Sequence, residues 1–78
     1  MEMVKIVKNG LEYFCIYQRQ GNNRNGNPLW IVSIFKECEN DYIWNINHKT
    51  NRRLDKYGNI KLISYNIIDN INSILQEL

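Results

Sequence analysis

Nucleophilic chemistry in this chain would have to use His48, the one histidine, together with Cys15 or Cys38. A cysteine nucleophile needs a neighbouring base and a lowered thiol pKa. Cys15 lies in an apolar stretch where burial raises the pKa of a thiol, and Cys38 lies between Glu37 and Glu39, whose negative charges have the same effect. We therefore expect no catalytic cysteine and predict that the protein is not an enzyme.

Metal and cofactor chemistry is not indicated either. One histidine and no Cys-x-x-Cys pair leave no zinc ligand set. The acidic residues of segment 37–41 lack the spacing of a calcium loop, and the glycines between 21 and 26 do not open a helix as a phosphate-binding loop requires. We predict no cofactor, no metal, and two free thiols in a reducing cytoplasm.

Basic side chains are concentrated in or beside two polar segments, residues 20–28 and 49–59, although the net charge is only +2. In a β-meander these two segments would lie at one end of the sheet, and the acidic segment 37–41 would lie at the other. Arginine binds phosphate or carboxylate groups through two parallel hydrogen bonds. The basic residues that we predict to contact a phosphate or an acidic partner are Arg19, Arg24, Lys49, Arg52, Arg53 and Lys56.

Five short strands and one helix must position these residues. Asn9-Gly10 between two strand-like runs predicts a tight hairpin, and apolar residues spaced three and four apart after Ser64 predict an amphipathic helix with Ser64 as its N-cap. The strands are expected near residues 3–8, 11–19, 29–36, 42–48 and 60–63. The predicted fold class is α+β: an antiparallel meander of four to five strands with one C-terminal helix packed on one face, in a single domain of residues 1–78.

Strands two and three are apolar on both faces. A half-solvated strand should alternate apolar with polar residues, and segments 13–17 and 29–35 barely do so. Because one helix can cover only one face, either the sheet curves over itself or an apolar face remains for a partner. Since Tyr and Trp are favoured at interface centres, we predict that Tyr13, Tyr17 and Trp30 bind a partner, which would be another protein or a second copy of this chain.

The composition indicates the origin and compartment. There are 13 Asn, 12 Ile and no Ala, which is typical of an AT-rich genome such as that of a low-GC bacterium or of a phage or plasmid living in one. The first eight residues lack the apolar run of a signal peptide, and no apolar stretch approaches the ~20 residues needed to cross a bilayer. We expect a cytoplasmic protein without membrane contact.

Three classes of function remain. The favoured one is a non-enzymatic interaction protein: a small inhibitor encoded by a phage or mobile element, of the anti-CRISPR or anti-defence kind, which binds a host protein or a protein–nucleic acid complex. The second is a small DNA- or RNA-binding domain that uses the basic loops. The third is a structural, homo-oligomeric accessory protein.

One resemblance bears on the second class. The run Gly-Asn-Pro-Leu-Trp at residues 26–30, with the alternation that follows it and a sheet completed by a helix, resembles the arm-binding domains of phage integrases. That resemblance implies DNA contact through the sheet. The present chain departs from the family in having fewer basic residues on its strands.

Overall fold

The fold is an antiparallel sheet with one helix packed on one of its faces. The computed structural model describes residues 2–37 and 43–77. Its elements are β1 (Glu2–Lys8), β2 (Leu11–Asn22), β3 (Pro28–Glu37), β4 (Ile43–Asn45), a 3-10 helix (Asn47–Lys49), β5 (Ile60–Ile63) and α1 (Ile67–Gln76). The predicted α+β meander with a single C-terminal helix is confirmed.

The first two connections join neighbouring antiparallel strands. Asn9 and Gly10 both have positive φ, 52° and 77°, as a two-residue hairpin requires. The β2–β3 loop is closed by Asn23, whose side-chain oxygen accepts the backbone N–H groups of Asn25 and Asn27 at 3.1 and 2.8 Å. This loop therefore carries its own hydrogen bonds, and it presents Arg24 at the tip.

The remaining two strands share one edge of β3. β4 pairs with residues 35–37 of β3, and β5 pairs with residues 29–32, so the two short strands follow each other along the same edge. The prediction of one strand over residues 42–48 is wrong for its second half, because β4 ends at Asn45 and the chain turns into the 3-10 helix. Tyr42 lies outside the described residues.

The core lies between α1 and the face of the sheet that carries Tyr13, Cys15 and Tyr17 of β2. Ile34 of β3 and Ile71 of α1 are among the fully buried side chains. Each large apolar side chain buried there stabilises the fold by about 1.5–3 kcal/mol. Since a helix of ten residues is marginal in isolation, this packing on the sheet is what holds α1.

The two ends of α1 are capped by groups from different parts of the chain. Asn66, not Ser64, is the N-cap, and its side chain accepts the N–H of Asp69. At the other end, the Lys8 ammonium donates to the carbonyl oxygens of Leu75 and Gln76 at 2.8 Å each. A cation is favourable at the negative end of a helix, so this contact joins β1 to the end of α1.

Candidate functional site

The face of the sheet opposite α1 is the candidate site, and we call it the open face. Strand pairing places on it the side chains of Met3, Phe14, Ile16, Leu29, Ile31, Phe35, Lys61 and Ile63. None of them is buried, and within residues 2–37 and 43–77 no helix packs on this side. An apolar sheet surface left accessible in this way is typical of an interface.

One half of the open face contains a hollow lined only by apolar side chains, with the Lys5 ammonium beside it, 5.9 Å from the Phe14 ring centroid. Met3, Phe14, Ile16 and Phe35 line a hollow of about 290 Å³. Met3 lies opposite Ile16 and Phe14 lies opposite Phe35 in the strand pairing, which brings the four side chains side by side. Met3 is 65% exposed, so this hollow is open to a partner's apolar side chain.

The other half is basic. Three cations surround a second hollow, of about 350 Å³, which we call the basic hollow; it is lined by Asn23, Arg24, Leu29, Arg53, Lys61 and Ile63. No carboxylate lines it, and among the described residues none of its three cations is in a salt bridge. Asp55, which lies outside this lining, attracts Lys61. The three cations around a largely apolar floor are suited to an anionic group carried by a partly apolar ligand.

Two further hollows connect these halves. One of about 250 Å³ adjoins the apolar half, since it shares Ile16 and Phe35 with it. Another of about 690 Å³ adjoins the basic hollow, since both are lined by Arg53 and Lys61. The two connecting hollows are themselves joined at Ile31. The open face is therefore one continuous surface that changes from apolar to basic along its length.

The loop that supplies Arg53 is closed by its own hydrogen bonds. The Lys61 N–H donates to the Arg53 carbonyl oxygen at 2.8 Å. A carboxylate oxygen of Asp55 accepts the N–H groups of Tyr57 and Asn59, each at 2.9 Å. The Asn59 backbone N–H contributes most to holding the pKa of the Asp55 carboxyl below its ordinary value. These hydrogen bonds define the conformation of the loop that crosses this end of the open face.

A buried asparagine connects this loop to the core. Asn47 is fully buried; its amide nitrogen donates to the carbonyl oxygens of Val32 at 3.3 Å and Gly58 at 3.1 Å, and its amide oxygen accepts the Ile34 N–H at 2.9 Å. Sequence reasoning missed this residue, because alternation along the strand predicted over residues 42–48 puts Asn47 with Asn45 on a polar face. Its position within a run of large apolar residues, Ile-Trp-Asn-Ile-Asn, was the available signal.

The structure brings together only part of the predicted basic set. Arg24 and Arg53 line the basic hollow, and Lys56 borders the adjoining hollow of about 690 Å³. Lys61 completes the group, although the sequence prediction omitted it because it lies on a strand. Lys49 lies at the end of the 3-10 helix and does not line these hollows.

The other two predicted basic residues are used within the chain. Arg52 forms a two-pronged ion pair with Glu77, with a shortest distance of 2.6 Å, and this bond lowers the pKa of the Glu77 carboxyl. Arg19 donates to Gly21 and Asn22, and its guanidinium lies 5.7 Å from the ring centroid of Trp30. Both guanidinium groups therefore support the fold as well as carrying charge.

The aromatic residues predicted to bind a partner lie on the covered face. Tyr13 and Tyr17 are 7% and 9% exposed and belong to the core. Trp30 is half-buried, its ring centroid lies 6.0 Å from that of Tyr17, and its indole N–H donates to the Ser64 carbonyl oxygen at 3.0 Å. The apolar surface accessible to a partner is therefore formed by Phe14 and its neighbours on the open face.

Of the three residues considered for catalysis, Cys15 and His48 lie in the described part of the chain. Burial raises the pKa of the Cys15 thiol to about 12, which removes its nucleophilic character at neutral pH. Cys38, together with Glu39 and Asp41 of the acidic turn, lies outside the described residues. No group of three or more His, Cys, Asp or Glu residues placed to hold a metal occurs in the described part of the chain.

The fold and the site define a small α+β protein with an uncovered, apolar-to-basic sheet face. No family model, no curated protein and no solved structure matches the chain. Over the described residues, no helix is long and apolar enough to cross a membrane.

Proposed function

We propose that this chain is a non-enzymatic interaction protein that docks through its open face onto a host protein or protein–nucleic acid complex. In this proposal it acts by occupying the partner's site, in the manner of the small anti-CRISPR and anti-defence inhibitors that phages and mobile elements encode. The observation that carries the proposal is the continuity between the apolar hollow around Phe14 and the basic hollow around Arg53.

The chemistry of the two halves describes the partner. An apolar side chain of the partner would enter between Met3 and Phe35, where each buried CH₂ group contributes about 0.8 kcal/mol. A carboxylate of the partner would meet Arg53 and Lys61, and complementary charge would favour both specificity and the rate of association. A protein surface that carries apolar and acidic groups side by side meets both requirements.

A matched pair of Ile→Asp variants tests the site. Ile63 borders the basic hollow and is 54% exposed, whereas Ile68 lies on α1 and is 43% exposed. The wild-type chain and both variants would be immobilised, and proteins from the native host would be captured and identified. We expect Ile63→Asp to lose the partner that wild type and Ile68→Asp retain.

The opposite pattern would contradict the proposal. If Ile68→Asp loses the captured partner and Ile63→Asp keeps it, binding uses the helix side of the molecule. Circular dichroism of both variants would establish that each remains folded. The partner that wild type and Ile68→Asp capture should then be purified. Its affinity for the Arg53→Glu variant should be lower than for wild type, because the charge at residue 53 of the basic hollow is reversed.

Nucleic-acid binding is the second candidate function, and the three cations of the basic hollow favour it. Arg24, Arg53 and Lys61 line the same hollow, whose lining contains no carboxylate, while Asp55 of the adjoining hollow attracts Lys61. Exposed Tyr57, which has the Lys56 ammonium 5.1 Å from its ring centroid, lies beside the adjoining hollow and offers a ring on which a base could stack.

Salt dependence distinguishes this candidate from protein binding. Each phosphate neutralised by a cation contributes about −0.9 to the slope of log affinity against log salt for duplex DNA. Fluorescence anisotropy with a mixed-sequence duplex should therefore show a slope that is about two units shallower in Arg53→Ala/Lys61→Ala. Absence of binding at low salt would eliminate this candidate and leave the first in place.

A further inference from the structure

The outer edge of β1 is an interaction surface of its own. β1 pairs with β2 through one edge, and in the described part of the chain no strand pairs with its other edge. On this strand Met3 and Val7 are 65% and 63% exposed. An exposed edge of seven residues presents unpaired backbone N–H and C=O groups, which can template a further strand.

The sequence of β1, Glu-Met-Val-Lys-Ile-Val-Lys, is complementary to its own reverse. In an antiparallel pair of two copies centred on Lys5, each residue of β1 except Lys5 lies opposite a residue of complementary charge or similar apolar character. Glu2 of one copy lies opposite Lys8 of the other, Met3 lies opposite Val7, and Val4 lies opposite Ile6. We propose that two copies of this chain pair through β1 in this register and form a two-fold symmetric dimer.

The neighbouring registers do not offer this match. A shift by two residues in one direction places Met3 opposite Lys5, and a shift in the other direction places Val4 opposite Lys8. Both set a charge against an apolar side chain and shorten the paired segment. A shift by one residue exchanges the two faces, so core-side residues such as Ile6 would be placed on the open side.

This register places Lys5 of one copy opposite Lys5 of the other, and the structure is compatible with that contact. Like charges directly opposite one another destabilise a pair of strands. The Lys5 ammonium, however, lies 3.0 Å from the Glu12 carboxylate and 5.9 Å from the ring centroid of Phe14. Both of those residues are on β2, so the Lys5 charge is directed away from the outer edge and is partly neutralised within its own chain.

Lys8 can bind a second chain without leaving its place in the first. Its ammonium donates to the carbonyl oxygens of Leu75 and Gln76, and an ammonium carries three N–H donors. The third is available to Glu2 of the other copy. Because the interface is isologous, this ion pair forms twice.

The dimer would have one continuous sheet with both open faces on the same side. Met3 and Val7 lie on the open side of β1, so their contact in the dimer also joins the two apolar halves. This inference concerns the edge of β1 and is independent of the function proposed for the open face.

Charge reversal at the edge provides the test. The Glu2→Lys variant carries lysine at both positions of the pair, and the Lys8→Glu variant carries glutamate at both. Each variant alone sets like charges opposite one another twice, whereas an equal mixture of the two restores both attractive pairs. Arg24→Glu, in the β2–β3 loop, is the control that matches Lys8→Glu in charge.

Sedimentation velocity over a range of concentrations is the measurement. We expect wild type and Arg24→Glu to dimerise. The dimer dissociation constant of Glu2→Lys should be raised at least about tenfold, since two pairs change from attraction to repulsion. The mixture of Glu2→Lys and Lys8→Glu should regain the wild-type dimer.

Three results would overturn the proposal. The first is a wild-type chain that stays monomeric at NMR concentrations. The second is a Glu2→Lys variant that dimerises as well as wild type, which would place any dimer contact elsewhere. The third is a mixture that does not dimerise although both variants are folded by circular dichroism, which would exclude this register.

Discussion

The buried amide of Asn47 donates a hydrogen bond of 3.1 Å to the carbonyl oxygen of Gly58, and this contact joins the loop before β5 to the core. The same side chain bonds the backbone of β3 at Val32 and Ile34. Since that loop carries Arg53 and Lys56, the basic part of the open face depends on one buried polar side chain.

Asn47→Ala should destabilise the protein strongly. Truncation leaves two carbonyl oxygens and one N–H without their partner inside the core, and an unsatisfied buried polar group costs about 1–3 kcal/mol. We expect a loss of about 2–4 kcal/mol in the free energy of unfolding, measured by urea denaturation. Asn51→Ala, at an exposed position, should change it by less than about 0.5 kcal/mol. Equal losses in the two variants would refute the role of Asn47.

Gly58→Ala should displace the His48 imidazole. Gly58 has a φ of 82°, and a Cβ added there would lie 2.9 Å from His48 Nε2. Gly21 has a similar φ of 70° with no atom within 4 Å of an added Cβ. We expect both Gly→Ala variants to lose about 1–2 kcal/mol from the left-handed backbone alone. Only Gly58→Ala should shift the His48 ring resonances in an NMR spectrum, and unchanged resonances would argue against this contact.

Asp55 should make the stability of the protein depend on pH in the acidic range. Hydrogen bonds from the Asn59 and Tyr57 N–H groups lower the carboxyl pKa in the folded state from its ordinary value of 3.8. A depressed pKa gives stability that is fully present above the ordinary value and is lost as pH falls through the folded pKa. Asp55→Asn keeps an acceptor oxygen but does not titrate, so its stability should fall less than that of wild type below about pH 4. An NMR titration that places the Asp55 pKa at or above its ordinary value would contradict this.

Cys15 should be inert in the folded protein. Burial raises the pKa of its thiol to about 12, so the thiolate fraction at neutral pH is negligible. In a Cys38→Ser background, labelling by a thiol reagent at neutral pH should be slow when the chain is native and fast in denaturant. Rapid labelling of the native chain would show that the strand carrying Cys15 opens readily.

Local sequence patterns predicted the parts of the fold that local physics decides. The hairpin at Asn9-Gly10 follows from two residues that tolerate positive φ. The apolar stripe of α1, with Ile67, Ile71 and Ile74 buried, follows from helical spacing. These signals involve residues close in the sequence, so no tertiary information was needed to interpret them.

The candidate site was predicted less well because tertiary contacts decide it. The sequence indicated that one apolar face would stay uncovered, but Tyr13 and Phe14 are equally good candidates for either face, and the packing of α1 made the choice. Arg52 and Arg53 are adjacent and chemically identical, yet only Arg52 meets Glu77 at the far end of the chain. The chain leaves β4 just before Asn47, whose side chain forms hydrogen bonds to residues more than ten positions away in the sequence.

Because β4 and β5 pair with the same edge of β3, the segment between them can vary while the sheet stays the same. β4 and β5 occupy successive stretches of that edge, and the intervening residues 46–59 leave the sheet and return to it. A change in the length or the charge of this segment would alter the basic hollow, whereas the register of the strands would stay the same. Natural or laboratory diversification of binding specificity should therefore be tolerated best at the exposed side chains of this segment, Asn51, Arg53, Lys56 and Tyr57. Arg52, Leu54 and Asp55 hold the segment in place and should be kept.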